Sequence, residues 1–170
     1  MVESEQKRIF DSWLAAHKGL FFKVVRAYAF TPQDQEDLFQ EIALQVWDSI
    51  PNFRGESSEA TWIYRVALYT AMAWARYEGR REDGKRPLAS VAHTLIAKES
   101  RPDDRLLWLY EQIRQLNEVD RSLTLLLLDG YSYKEMADIL GITVSNVGVK
   151  INRIKKHLTR KSKEGVTHGV

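Results

Sequence analysis

The chain has no cysteine among its 170 residues. That excludes disulfides, thiol catalysis and cysteine-ligated zinc or iron–sulfur centres, and it suits a reducing compartment. Prolines number 4 and glycines 9, so little interrupts periodic backbone segments. No apolar run nears the length of a bilayer span. The opening MVESEQKRIF lacks the basic-then-apolar order of a secretory signal. The expectation is a cytoplasmic protein with no membrane insertion. An excess of one charge is also missing: 25 basic against 23 acidic residues leave a net charge of +2. The four histidines, His17, His93, His157 and His168, are scattered and make no metal-binding or charge-relay spacing.

What is present describes an ordinary folded protein. Hydrophobic residues are 44% and charged residues 28%, which excludes disorder over the whole chain. The length fits one large domain or two small ones. Apolar residues recur at helical spacing nearly throughout. Ile9, Trp13, Leu20, Val24 and Tyr28 mark a first helix over roughly 6–29. Thr31 and Pro32 are start signals for a second, on which Leu38, Ile42, Val46 and Ile50 form one stripe. After the break PNFRGESSE, a third helix is expected over about 58–78, with Trp62, Val66 and Ala73 on its apolar face. The stretch from Gly79 to Pro102 has the glycine, proline and mixed charge of a linker.

The second half is more tightly punctuated. A helix is expected over about 105–116. Asn117 caps the next, which carries Val119, Leu123, Leu126 and Leu127 and ends near Gly130. Ser132 and Glu135 form a capping box for a short helix that stops at Leu140, with Gly141 in the turn. Met136, Ala137 and Leu140 pack it inward, and Ile142 fills the angle. A last helix runs from about Val144 to Thr159, held inward by Val147 and Ile151, before a fraying tail. Two short helices crossing at such a turn make a helix-turn-helix, the common reader of a DNA major groove.

The charge placement agrees. From Val144 to Lys163 there are seven basic residues and no acid. Ser145 and Asn146 sit where base edges come within reach, and Lys150 and Arg153 can meet bases or backbone. Lys155, Lys156 and Arg160 suit phosphates, as does Lys134 on the preceding helix. Gly148 is unexpected within this helix. The bland alternative is a helical hairpin with a solvated basic face.

In the first half, Glu36, Asp37, Gln40 and Glu41 cluster on the second helix. Paired carboxylates can serve acid–base chemistry or a divalent metal. Without a matching histidine or an enclosing pocket, a protein-docking surface is the better reading, with Leu38 and Phe39 supplying apolar contact. The third helix interleaves Trp62, Tyr64, Tyr69, Trp74 and Tyr77 with Arg65, Arg76, Arg80 and Arg81. Rings among arginines suit unpaired bases, although a ring of this kind is often core.

These pieces, in this order, resemble the extracytoplasmic-function sigma factors of the sigma-70 family. The resemblance runs from about Phe21 to Arg160. It is carried by DQEDLFQEIALQVWDSIPNFRGESSEATWIYRVALYTA in the first half and by the segment from Leu123 to Leu158 in the second. It implies an all-α fold: two small helical domains joined by a flexible linker, the C-terminal one a helix-turn-helix. The divisions are 1–80, a linker over 81–104, 105–162 and a tail over 163–170. Asp37, Leu38, Gln40 and Glu41 would grip the largest subunit of core RNA polymerase. Phe53, Arg54, Gly55, Glu56 and Ser57 would capture a flipped base of the −10 element, with Trp62, Tyr64, Arg65, Tyr69 and Arg76 supporting strand separation. Lys134, Thr143, Ser145, Asn146, Lys150, Arg153, Lys155 and Lys156 would engage the −35 element and its backbone. The partners implied are core RNA polymerase, double-stranded promoter DNA and the melted non-template strand; an anti-sigma protein is a further partner class, which no residue identifies.

Three positions depart from the family's pattern. Tyr69 stands where asparagine is frequent, Ala73 where aspartate is, and Gly148 where a more polar residue is common. The expected consequence is a softer promoter preference. The sequence thus reads as a promoter-specificity subunit with no cofactor and no catalytic centre. The alternative is a free-standing helix-turn-helix regulator that never joins polymerase. An enzyme built on Asp37 and Glu41 ranks last.

Overall fold

A computed structural model of the chain describes residues 1–81 and 103–167. All the regular structure described is helical. The chain divides into two compact units, Met1–Leu106 and Leu107–Val170. The linker expected over 81–104 lies, from 82 to 102, outside the described residues.

The first unit is a three-helix cluster: α1 (Glu3–Tyr28), α2 (Pro32–Ser49) and α3 (Glu59–Arg81), with a 3-10 turn, Ile50–Asn52, after α2. The α1 backbone leaves helical geometry at His17 (φ −122°, ψ 23°), which bends the helix. The α1–α2 corner is tied twice. Thr31 Oγ1 accepts from the Asp34 amide at 3.1 Å, and Gln35 Nε2 donates to the Ala29 carbonyl at 3.1 Å. These bonds satisfy groups that helix ends leave open. Phe21, Val24, Val25 and Tyr28 of α1 share the core with Leu38, Ile42 and Val46 of α2 and with Ile50 of the 3-10 turn. Burying each large side chain contributes roughly 1.5–3 kcal/mol relative to exposure.

The face of α3 differs from the sequence expectation. Ile63, Tyr64, Ala67, Leu68, Ala71 and Met72 are buried, whereas Trp62 and Val66 are half-buried and Ala73 is exposed. Two apolar stripes overlap on this ring-rich helix, and packing against α1 and α2 selects the other one.

The second unit holds all but the first residues of α4 (Asp104–Arg114), with α5 (Glu118–Leu128), α6 (Tyr133–Leu140) and α7 (Val144–Thr167). Asn117 Oδ1 accepts from the Asp120 amide at 2.9 Å and caps α5. Arg121 closes the end of α4, donating from Nη2 to the Arg114 carbonyl and from Nε to the Leu116 carbonyl, each at 2.8 Å. The core is Leu123, Leu125 and Leu126 of α5, Met136, Ala137 and Ile139 of α6, and Val147, Ile151 and Ile154 of α7. Ile139, rather than the expected Leu140, is the buried residue at the end of α6; Leu140 and Ile142 are half-buried. The last helix also runs further than expected. It continues to Thr167, where the sequence suggested fraying beyond Thr159, and the Lys161–Glu164 pair at 3.6 Å supports the added turns.

Candidate docking face and nucleic-acid interface

The segment between α2 and α3 is held by rings. Phe53 meets Trp13 edge-on at 5.2 Å and Trp62 at 5.5 Å. Trp62 Nε1 donates to Ser49 Oγ at 3.0 Å, and Ser49 Oγ donates to the Val46 carbonyl at 2.8 Å. Trp62 is therefore fixed by packing and by a hydrogen-bond chain into α2. Gly55 turns the loop at φ +74°, a conformation that side chains disfavour. Ser58 Oγ accepts from the Thr61 amide at 3.1 Å and caps α3, while His17 Nε2 lies 3.6 Å from Glu59 Oε2. Phe53 is half-buried; Arg54, Gly55 and Glu56 are exposed and Ser57 is half-buried. The loop thus has a pinned base and polar tips.

Along α3, Tyr64 is 1% exposed and supports the helix from inside, so its ring is not on offer to a ligand. Arg65 is half-buried. Tyr69, Ala73 and Tyr77 are exposed and spaced four apart, so they share one outward stripe with Arg76 alongside. The rings of Tyr69 and Tyr77 are rooted about 12 Å apart along the axis.

The acidic helix α2 separates its expected docking residues. Asp37 and Gln40 are exposed and Glu41 is half-buried, accepting from Gln45 Nε2 at 3.1 Å. Leu38 is fully buried, and Phe39 stacks on Phe22 at 5.4 Å. Leu38 therefore cannot give a partner apolar contact, and Phe39 is half-buried against α1. The residue that is placed to do so is Leu44, 52% exposed and four positions beyond Gln40. The sequence carried that signal in the spacing Asp37–Gln40–Leu44–Asp48. Partial burial, then the Asp34 and Glu36 carboxylates, push the Asp37 carboxyl above its ordinary value. A carboxylate raised on folding gives up stability as pH rises through its titration.

In the second unit, the capping box is complete. Ser132 Oγ accepts from the Glu135 amide at 3.1 Å, and Glu135 Oε1 accepts from the Ser132 amide at 3.0 Å. Hydrogen bonding to its carboxyl from the Ser132 backbone, and then from the Ser132 side chain, holds Glu135 below its ordinary value. It favours the folded state above the unfolded pKa and loses that effect as pH falls through the folded one. Gly141 sits at φ +68° and passes its amide to the Ala137 carbonyl at 2.9 Å. Thr143 Oγ1 accepts from the Asn146 amide at 3.0 Å and starts α7. Thr143 therefore has a structural task as well as an exposed position. Lys134, Ser145, Asn146, Arg153, Lys155 and Lys156 are exposed and Lys150 is half-buried. Arg153, Lys156 and Arg160 also border an open cleft of about 580 Å³ beside Leu116 and Asp120.

Gly148 does not serve a close backbone approach within the fold. A Cβ placed there meets only the Tyr133 ring, at 3.8 Å, an ordinary contact distance. Gly148→Ala is therefore expected to stabilise the second unit, by up to about 1 kcal/mol from helix propensity. Thermal unfolding of the variant checks this, and a lowered melting temperature would contradict it.

Among the described residues no group of three or more metal-ligating side chains comes together, and no helix is long and apolar enough to cross a membrane. What the two units do offer is an acidic helical face, a ring-clamped loop and a basic helix-turn-helix. Known families match the two units one after the other. A model of sigma-70 region 2 matches residues 13–81, and a model of sigma-70 region 4 matches residues 106–158. Over 172 aligned residues the chain is 27% identical to the ECF RNA polymerase sigma-E factor of Haemophilus influenzae, covering 94% of this chain and 90% of that one. It is 30% identical over 142 residues to the ECF RNA polymerase sigma-E factor of Escherichia coli, covering 75% and 73%. The fold is shared with the sigma factor RpoE of Bartonella quintana, solved with the anti-sigma factor NepR: the TM-score is 0.70 at 20% identity, over 92% of this chain and 98% of that one.

These matches define a transcription-initiation subunit of the sigma-70 class. Within that class, the chain belongs to the extracytoplasmic-function family of RNA polymerase sigma factors. Its function is to bind core RNA polymerase and direct it to promoters, and it is not an enzyme in its own right.

Proposed function

We propose a division of labour between the two units. The outward face of α2, with Asp37, Gln40, Glu41 and Leu44, docks core RNA polymerase in the cytoplasm. The loop from Phe53 to Ser57 takes up an unpaired base of the −10 element, and Tyr69 and Tyr77 stack on the melted non-template strand, with Arg76 near its backbone. Stacking tolerates any base, so −10 selection is soft. The outward face of α7 reads the duplex −35 element from Ser145, Asn146 and Arg153. Lys134, Lys150, Lys155 and Lys156 hold phosphates. Two modest contacts on one chain gain from their linkage. The solved relative from B. quintana is held by an anti-sigma factor, which supports an anti-sigma protein as a regulator here too.

The observation that carries this reading is the sorting of α7. Val147, Ile151 and Ile154 seal one side, and the polar and basic residues stand on the other. Selection of bound duplexes from a random library by reconstituted holoenzyme tests it. The expected result is two enriched elements at fixed spacing, the upstream one sharper. Arg153→Ala should relax one upstream position by about 1–3 kcal/mol. Lys156→Ala should weaken binding evenly across sequences and lower the salt dependence by about one phosphate contact. A library returned without an upstream element would contradict the reading.

A further inference from the structure

The outward face of α7 has an apolar centre. Val147, Ile151 and Ile154 are at most 1% exposed and fix which side of the helix faces inward. At 100° per residue, Val149 lies nearly opposite that seam, and it is 58% exposed. Ser145 lies four residues before it and Arg153 four after, so both neighbour it on the surface. Asn152 and Lys156, both exposed, flank the same stripe. Gly148 adds no side chain at this turn. Val149 is thus the side chain that an approaching groove meets at the middle of the reading face.

Valine in a helix keeps essentially one rotamer, so its two methyl groups are presented in a fixed direction. It has no donor or acceptor to offer a base edge. Placed against a cytosine amino group or a guanine oxygen, it would strip water without replacing the hydrogen bond. The major groove carries one apolar group on its base edges, the C5 methyl of thymine.

We infer that Val149 reads a thymine methyl in the −35 element, with Ser145 and Arg153 making polar contacts on either side. The inference rests on the promoter-reading role proposed above and adds the base and the group that are read.

The test uses holoenzyme and the upstream element selected from the random library. Each thymine of that element is replaced singly by deoxyuridine, which removes the methyl and keeps the pairing. One replacement should weaken wild-type binding by about fourfold, as expected for one buried methyl. Val149→Ala should bind the thymine duplex about as weakly as the wild type binds the uracil one, and should not distinguish the two. Alanine has the higher helix propensity, so the variant should melt no lower than the wild type. The inference is overturned if every replacement is neutral, if the selected element has no thymine, or if Val149→Ala keeps the full preference for thymine. A sharp upstream element that is blind to the methyl sinks this inference alone; the absence of any upstream element sinks the promoter-reading role with it.

Discussion

Leu38→Ala should unfold the first unit at temperatures the wild type tolerates, and polymerase binding should disappear with the fold. Leu38 is fully buried in the stripe it shares with Ile42 and Val46. Truncating a buried leucine costs about 2–5 kcal/mol, from lost transfer energy and the cavity left behind. In a domain this small, each kcal/mol lowers the melting temperature by roughly 4–8 °C. A fall of about 10 °C or more is expected by circular dichroism. A melting temperature within about 3 °C of wild type would contradict this placement of Leu38. Its neighbours behave differently. Asp37 and Gln40 face solvent, so changes there should alter docking and leave the fold intact. A binding defect in Leu38→Ala says nothing about docking until folding has been measured.

Phe53→Ala should leave core and duplex binding near wild type and lower the yield of open promoter complexes by about tenfold or more. The Phe53 ring bridges Trp13 and Trp62. Without it, Arg54 to Ser57 lose the base from which they are presented. Ordering a freed residue costs about 1–2 kcal/mol, and 1.4 kcal/mol is tenfold in a binding constant. Re-ordering one or two loop residues on each encounter with melted DNA is enough for the stated loss. Fluorescence of a 2-aminopurine placed in the melted region reads it directly, at a temperature where the variant is folded. Wild-type yields of open complex would contradict the role given to the ring clamp.

Much of the fold could be read from single residues because capping chemistry is local. Thr31, Asn117, the Ser132–Glu135 box and Gly141 each satisfy backbone groups within a few residues of themselves. No tertiary knowledge is needed to place them. The α2 stripe was legible for a related reason: its other faces are polar, so only one side can be buried. On α3 this fails. Ile63, Tyr64, Ala67 and Leu68 compete with Trp62 and Val66 for the inward position, and only the packing partners decide. Tyr64 therefore looked like a contact residue and is core; Leu38, read both as part of the α2 stripe and as a docking contact, is core alone. The extent of α7 was hidden as well, since a run of lysines reads as solvated tail and the spacing of Lys161 and Glu164 is easily overlooked.

The converse error concerns apolar residues on polar faces. Leu44 and Val149 look like ordinary helix formers in a sequence, and the only local cue is the spacing of Leu44 from Asp37, Gln40 and Asp48. Their exposure follows from where the other apolar residues went: into Leu38, Ile42 and Val46 on α2, and into Val147, Ile151 and Ile154 on α7. An exposed apolar residue in the middle of a functional face is where a partner gains most by excluding water. On the same face the Asp37 carboxyl is raised above its ordinary value by partial burial and then by Asp34 and Glu36.

The affinity of the purified chain for bacterial core RNA polymerase, wild type against Leu44→Asp, tests the docking face most directly. Leu44 is 52% exposed, so the variant should fold and melt like the wild type. Placing a charge at the centre of a buried contact should then weaken binding at least about tenfold. Equal binding of the two proteins to core, with matched melting temperatures, would contradict docking through the outward face of α2.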